Sequence, residues 1–332
     1  MTGIHQLLMT NFIIGGGDQT ASILVVAGGG GGGPAGAAEA VGGVVPARSD
    51  SGNTTSIQGS RGAGAGAGGL IFIDSAFPMA AGTEFTITVG AGAFMGRRGS
   101  NSVVTGGGRT LTAIGGGAAG IDDNKSNFMD KTGGSGGGAW YSSGQSAGTA
   151  LQVSTTNDGI TEYESTGFGH DGGDGDSGAP YGGGGGGAGE RGQFGDSDNG
   201  NPIGELGAYG GIGKEVAILG ASDVYYAGGG AAVGFGQSVL GSATSAGIIH
   251  LAHGGKGGGG FGDNSVNTTA GTTLTNGVPN TGGGGGAGGN GGKGVVIIRL
   301  PRAASSTTGA PSETTVGSEI AYYFSSDGTL TI

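Results

Sequence analysis

Runs of consecutive glycine dominate this chain and limit what it can become. Residues 28–33, 182–187 and 282–286 are unbroken glycine, and 91 of the 332 residues are glycine. Such runs have no side chains to bury, and glycine loses more backbone freedom on ordering than any other residue. With 8 prolines, Gly and Pro together reach roughly 30% of the chain, a level that by itself fits a flexible linker or a low-complexity tract. If the runs are ordered, nearly every glycine N–H and C=O must find a lateral partner.

The apolar segments argue for order. Residues 22–27 (SILVVA) form a β-rich run directly before glycines 28–33, and residues 70–74 (LIFID) follow GAGAGAGG. Residues 84–89 (EFTITV) alternate polar and apolar with period two, the pattern of a half-buried strand. The same grammar recurs at 111–114, 215–219, 224–227, 247–252 and 295–300 (VVIIRL). At the C-terminus, residues 320–324 and 329–332 flank Ser326-Asp327-Gly328, which predicts a hairpin because Asp-Gly is a strong turn signal. Run spacing varies too much for a solenoid of fixed period. No amphipathic helix is evident. The predicted fold is all-β with polyglycine-II helices: a glycine-rich sandwich flanked by β-hairpins, with almost no α-helix. Polyglycine-II geometry has three residues per turn and no internal hydrogen bonds, so backbone groups point outward to neighbours. Six glycines at 182–187 would make about two turns over about 19 Å.

Two regions stand apart. Residues 1–20 carry Ile4, Leu7, Leu8 and Phe12 at a weakly helical spacing, and are expected to form a docking arm or, alternatively, a short strand. Residues 21–332 then make one domain, with a polar insertion at about 121–167. That insertion holds the single tryptophan, Trp140, beside Tyr141, with Tyr163 further on. Together with Tyr181 these are the candidate surface-recognition residues, since loops on a rigid scaffold are where recognition concentrates. The alternative is that Trp140 anchors its loop to the scaffold.

Composition excludes several functions. There is no cysteine, so disulfides and thiolate metal sites are ruled out. A net charge of -11 argues against binding a nucleic-acid backbone. Apolar runs are far shorter than a membrane span, and residues 1–14 lack the pattern of a signal peptide. An acidic chain without cysteine fits assembly in a reducing compartment.

Catalytic and ligand motifs fail on context. GxGxxG matches are frequent, but none opens a strand–helix unit. Lys214, Lys256 and Lys293 each follow glycine, yet Glu, Gly and Gly come next, where a P-loop needs Ser or Thr. Gly133-Gly134-Ser135-Gly136-Gly137 matches G-x-S-x-G but lies in a glycine tract. The four histidines are His5, His170, His250 and His253, and on a strand His250 and His253 would face opposite sides. Residues 171–176 (DGGDGD), with Asp122, Asp123 and Asp130, could offer oxygen to calcium but match no calcium motif; a solvated acidic loop is the default. No catalytic, metal or cofactor residue is assigned, and the chain is read as a non-enzyme.

The stretches ILVVAGGGGGG (23–33), GGLIFIDSAFPMAAGTEFTITVGAG (68–92), GSNSVVTGGG (99–108), SDVYYAGGG (222–230), GGGGGAGGNGGKGVVIIRL (282–300) and IAYYFSSDGTLTI (320–332) form a recognisable combination. In these stretches the chain resembles the glycine-rich domain family of tail-fibre and other virion proteins of phages and algal viruses. More remotely, it is similar to phage tail-tip adhesins built on a polyglycine-II sandwich. The resemblance implies a virion structural protein on the particle surface or tail: a tail fibre or adhesin, or alternatively a capsid decoration, head fibre or inter-subunit scaffold. Its implied partners are other virion proteins, a host-surface glycan or protein receptor, and further copies in a homo-oligomer. A cellular glycine-rich surface or matrix protein is the alternative outside viruses. The resemblance also leads us to expect the SSDGTLTI strand beside residues 22–27.

Overall fold

A computed structural model describes residues 17–33, 62–120, 130–140, 145–152, 166–175, 182–195, 207–233, 252–262 and 275–332. Among these residues the fold is all-β, with thirteen strands and no helix. Six strands form one antiparallel sheet in the order β11 (Ser312–Val316), β12 (Glu319–Phe324), β9 (Val295–Leu300), β1 (Gln19–Val26), β2 (Leu70–Met79), β6 (Thr166–Phe168). Five form a second: β10 (Ser306–Thr307), β13 (Gly328–Thr331), β3 (Glu84–Thr88), β4 (Ser102–Gly106), β5 (Arg109–Ala113). A short pair, β7 (Lys214–Glu215) and β8 (Tyr225–Tyr226), stands apart.

Burial explains the two kinds of apolar pattern. The two large sheets share a core that includes Ile23, Val25, Phe77 and Ile298 from the first and Phe85, Ile87, Leu111 and Leu330 from the second. The opposite face of the six-stranded sheet is covered too, with Leu24, Val26, Val295 and Ile297 packed against Val216, Ile218 and Tyr226 around β7 and β8. A sheet buried on both faces requires continuous apolar runs, hence SILVV and VVIIRL. The five-stranded sheet has one wet face, so β3 alternates exposed and buried along its length.

The Asp-Gly signal does not produce the expected hairpin. β12 pairs with β9 and β11, whereas β13 pairs with β3 and β10 in the other sheet. Residues 325–327 therefore turn a corner between sheets, and Asp327 Oδ1 accepts a hydrogen bond from Val89 N at 2.8 Å. The expected pairing of SSDGTLTI with β1 is corrected in the same way: β9 and β2 occupy both edges of β1, and β13 meets it only across the core. Further upstream, β1 begins inside the span assigned to an N-terminal arm. Asp18 Oδ1 accepts from Ala81 N, and Arg302 Nη2 donates to the carbonyls of Gly17 and Asp18. Ile4, Leu7, Leu8 and Phe12 lie outside the described residues.

Beyond the sheets the glycine segments run side by side, and their hydrogen bonds repeat every third residue. The N–H groups of Gly28 and Gly31 donate to Ser100 and Arg97, those of Gly29 and Gly32 to Gly292 and Gly289, and those of Gly30 and Gly33 to Gly66 and Ala63. The carbonyls of the same six glycines accept, with the same period, from Gly116 and Ala119, Ala93 and Gly96, and Gly285 and Gly288. Segment 62–69 behaves likewise. It donates to 183–186, 282–285 and 114–117 and accepts from 230–233, 27–33 and 135–138.

This closeness is possible only without side chains. A Cβ on Gly30 would lie 2.0 Å from the carbonyl oxygen of Gly117, and one on Gly230 would lie 1.9 Å from that of Gly285. Alanine is accepted mainly where the segments end. Ala67, Ala188 and Ala227 pack at the sheets, while Ala63 and Ala119 cluster at the far end. At that far end Gly33 N donates to Ala63 O, Val233 N to Gly62 O, Gly120 N to Gly138 O and Gly262 N to Ala252 O. Gly33, Gly62, Gly120, Val233, Ala252 and Gly262 thus lie at one end of the bundle, opposite the sheets, whereas Gln152 sits beside Gly69 near them.

Two predictions follow from this packing. Gly30→Ala should destabilise the protein by more than about 3 kcal/mol or abolish folding, because its backbone neighbours have nowhere to move. Gly17→Ala should stay within about 0.5 kcal/mol, as the nearest atoms to its Cβ belong to the Arg302 side chain at 3.5 Å. Denaturant titration of both variants checks the contrast. Separately, burial and the neighbouring Tyr323 push the Tyr226 hydroxyl up to about 12. A raised pKa means the stabilisation is present below the unfolded value near 10 and is lost as pH rises through the folded one. Wild type should therefore lose stability between about pH 10 and 12, and Tyr226→Phe should lose less, as read by thermal melts across that range.

Candidate functional site

Side-chain carbonyl and carboxylate oxygens cap glycine-segment amides that no neighbouring backbone reaches. Asn101 Oδ1 accepts from Gly115 N, Gln152 Oε1 from Ile114 N, Gln193 Oε1 from Tyr209 N and Asn290 Oδ1 from Met95 N, all between 2.9 and 3.0 Å. Ser102 is fully buried; its Oγ accepts from Gly90 N and donates to Val26 O, each at 2.8 Å. These residues escape sequence reading because nothing in their local pattern marks them. Their one signal is position, at or near the ends of glycine runs.

The acidic motif does the same work. Asp171 Oδ1 accepts from Ala150 N at 2.7 Å. Asp174 Oδ1 accepts from Ala147 N at 2.7 Å, while its Oδ2 meets Arg191 Nη2 at 3.3 Å. Asp130 pairs with Arg98 at 2.9 Å and accepts from Thr132 N. Partial burial raises the Asp130 pKa, but the Thr132 and Arg98 interactions outweigh it and leave the carboxyl below its ordinary value. No group of three or more metal-ligating side chains occurs among the described residues. Asp122, Asp123 and Asp176 lie outside them.

Of the recognition candidates, only Trp140 is described. It is 5% exposed, at the end of the segment whose Ala139 N donates to Gly173 O. Tyr141, Tyr163 and Tyr181 lie outside the described residues, as do His5 and His250. The expected insertion at 121–167 is described only at 130–140, 145–152 and 166–167. Ser135 is fully buried, and its hydroxyl has no hydrogen-bond partner. It is neither polarised by a base nor accessible to a substrate.

A shallow, open depression of about 400 Å³ lies beside β8, lined by Asp223, Tyr225, Lys256, Val278 and Thr281 with Gly257 and Gly258. Lys256 Nζ sits 5.3 Å from the centre of the Tyr225 ring, and the Tyr225 hydroxyl donates to Glu215 Oε2 at 3.2 Å. Glu215, burial and Asp223 together raise the Tyr225 pKa.

Replacing Asp174 with Ala should lower stability by about 1–3 kcal/mol, because the Ala147 amide loses its acceptor. Melts run with calcium and with a chelator should show the same loss, and a calcium-dependent difference would contradict the tethering role. No family model matches the chain, and neither a curated protein nor a solved structure matches it.

Proposed function

We propose that this chain is a structural protein of a virus particle, a phage tail fibre or adhesin that carries recognition segments on a stiff glycine-packed body. On this reading the glycine segments are polyglycine-II helices, and with the sheets they make up the glycine-rich sandwich of such adhesins. The observation that carries the proposal is the three-residue repeat of backbone hydrogen bonds, which takes single segments to six neighbours. A body held this way has few rotatable side chains inside and resists bending, which suits an appendage under load.

The ends of the described stretches support the same reading. Gly33, Gly120, Val233 and Gly262 lie at the end of the bundle away from the sheets. That end favours contact with a host surface, with the sheets toward the particle. The resemblance of ILVVAGGGGGG and the other quoted stretches to virion glycine-rich domains points the same way. Host recognition would then rest on a surface glycan or protein receptor, with other virion proteins as attachment partners. Capsid decoration is the second reading, since the same rigid body would serve there.

The test is location. Mass spectrometry of purified virions should find the chain, and immunogold labelling should place it on the tail. Label on the capsid would replace the fibre reading with decoration. Absence from purified virions would end both.

A further inference from the structure

Asparagine deamidates most readily before glycine, which puts no side chain in the path of the attacking amide. The chain holds three such pairs, Asn199-Gly200, Asn276-Gly277 and Asn290-Gly291. The second and third are described, and they are bonded to each other. Asn290 N donates to Asn276 Oδ1 at 2.8 Å, and Gly277 N donates to Asn290 O at 2.8 Å. Asn290 Oδ1 accepts from Met95 N at 3.0 Å, and Gly291 N donates to Ala93 O at 2.8 Å. Both side-chain carbonyls and both glycine nitrogens are therefore engaged. The glycines also have no room to turn. A Cβ on Gly277 would lie 2.1 Å from Gly283 O and 2.5 Å from Gly292 N, and one on Gly291 would lie 2.0 Å from Gly29 O. Asn290 itself is exposed, so what the fold withholds from its side chain is the glycine nitrogen and not water.

We propose that Asn276 and Asn290 are a paired deamidation site that is latched in the folded chain and opens only when the bundle opens. In the reaction the glycine nitrogen gives up its proton and attacks Cγ of the preceding asparagine. The bond from Cγ to the side-chain nitrogen breaks, and that nitrogen leaves as ammonia with the proton. Water then opens the cyclic imide. Opening at one carbonyl gives Asp; opening at the other gives isoAsp, whose main chain runs through Cβ and Cγ and is one carbon longer. In the fold, the attack requires Gly277 N or Gly291 N to leave its acceptor and the asparagine carbonyl to leave its donor. The peptide plane must then rotate against backbone already in contact. The two products differ in consequence. Asp keeps an oxygen for the N–H of Asn290 or Met95. IsoAsp displaces every later residue along its segment, and hydrogen bonds that repeat each third residue have no slack for one extra carbon. Conversion after unfolding therefore leaves a chain that cannot rebuild the bundle. None of this rests on the appendage reading.

The test is to age the full chain at mildly alkaline pH, folded and in urea, and to score Asp and isoAsp at each site by peptide mass spectrometry. Conversion at Asn276 and Asn290 should be at least about ten-fold slower in the folded chain, since only opened molecules react. Equal rates in the two states overturn the latch. The urea-aged chain is then returned to native buffer and its compact fraction separated by gel filtration. IsoAsp at either position should be depleted about ten-fold in that fraction. Equal levels in the compact fraction and the remainder overturn the stated consequence. Asn276→Asp and Asn290→Asp should each refold as the parent does, because a carboxylate oxygen accepts the same N–H. Failure of either variant to refold would assign the loss to charge and overturn the role given to the lengthened main chain.

Discussion

The backbone amide, unshielded by side chains, is the interaction on which this structure depends. Each central glycine donates to one neighbouring segment and accepts from another, and the next residue turns to a different pair. A side chain at Gly66 would place a Cβ 2.2 Å from the carbonyl oxygen of Ser135, so neighbours this close exclude even alanine. Single amide hydrogen bonds are worth only about 0.5–1.5 kcal/mol net, and ordering glycine is unfavourable. The arrangement holds only if most donors and acceptors are matched at once. Hence polar side chains such as Gln152 and Asp174 appear wherever the backbone alone falls short.

The sheets solve the problem of register. β1 pairs Val26 with Leu70 on one side and Val295 on the other. Continuing outward from those pairs, Gly30 meets Gly66 and Gly29 meets Gly292. A glycine segment has no side-chain pattern that fixes its alignment, whereas SILVV and VVIIRL carry side chains that pack into a core on each face of the sheet. Strand pairing thus sets the alignment, and the glycine segments inherit it. Partners lie far apart in sequence, so the bundle is built from non-local contacts and not from a string of local pieces.

This division explains what could be read from the sequence. The strands were legible because burial writes a pattern into side chains: period two in EFTITV beside one wet face, continuous apolar runs where both faces are covered. Asp327-Gly328 was legible as a turn but not as a change of sheet, because turn chemistry constrains local angles and not which edge the next strand meets. β13 accordingly lies across the core from β1 rather than beside it. Trp140 was ambiguous for the opposite reason: an aromatic in a polar stretch serves either as anchor or as contact, and nothing in its local pattern separates the two. The caps were hidden, since a three-residue period shows only where glycine is interrupted.

That concealment bears on how such a body could diversify. Inward positions admit little beyond glycine, with alanine mostly at the segment ends, while outward positions such as Phe94 and Leu151 leave their side chains exposed. A change there alters the surface without disturbing a hydrogen bond of the bundle. Under the proposed appendage role, a scaffold of this kind separates the residues that hold the shape from those that meet a partner. The first group is fixed by amide geometry, and the second is open to whatever surface is to be recognised.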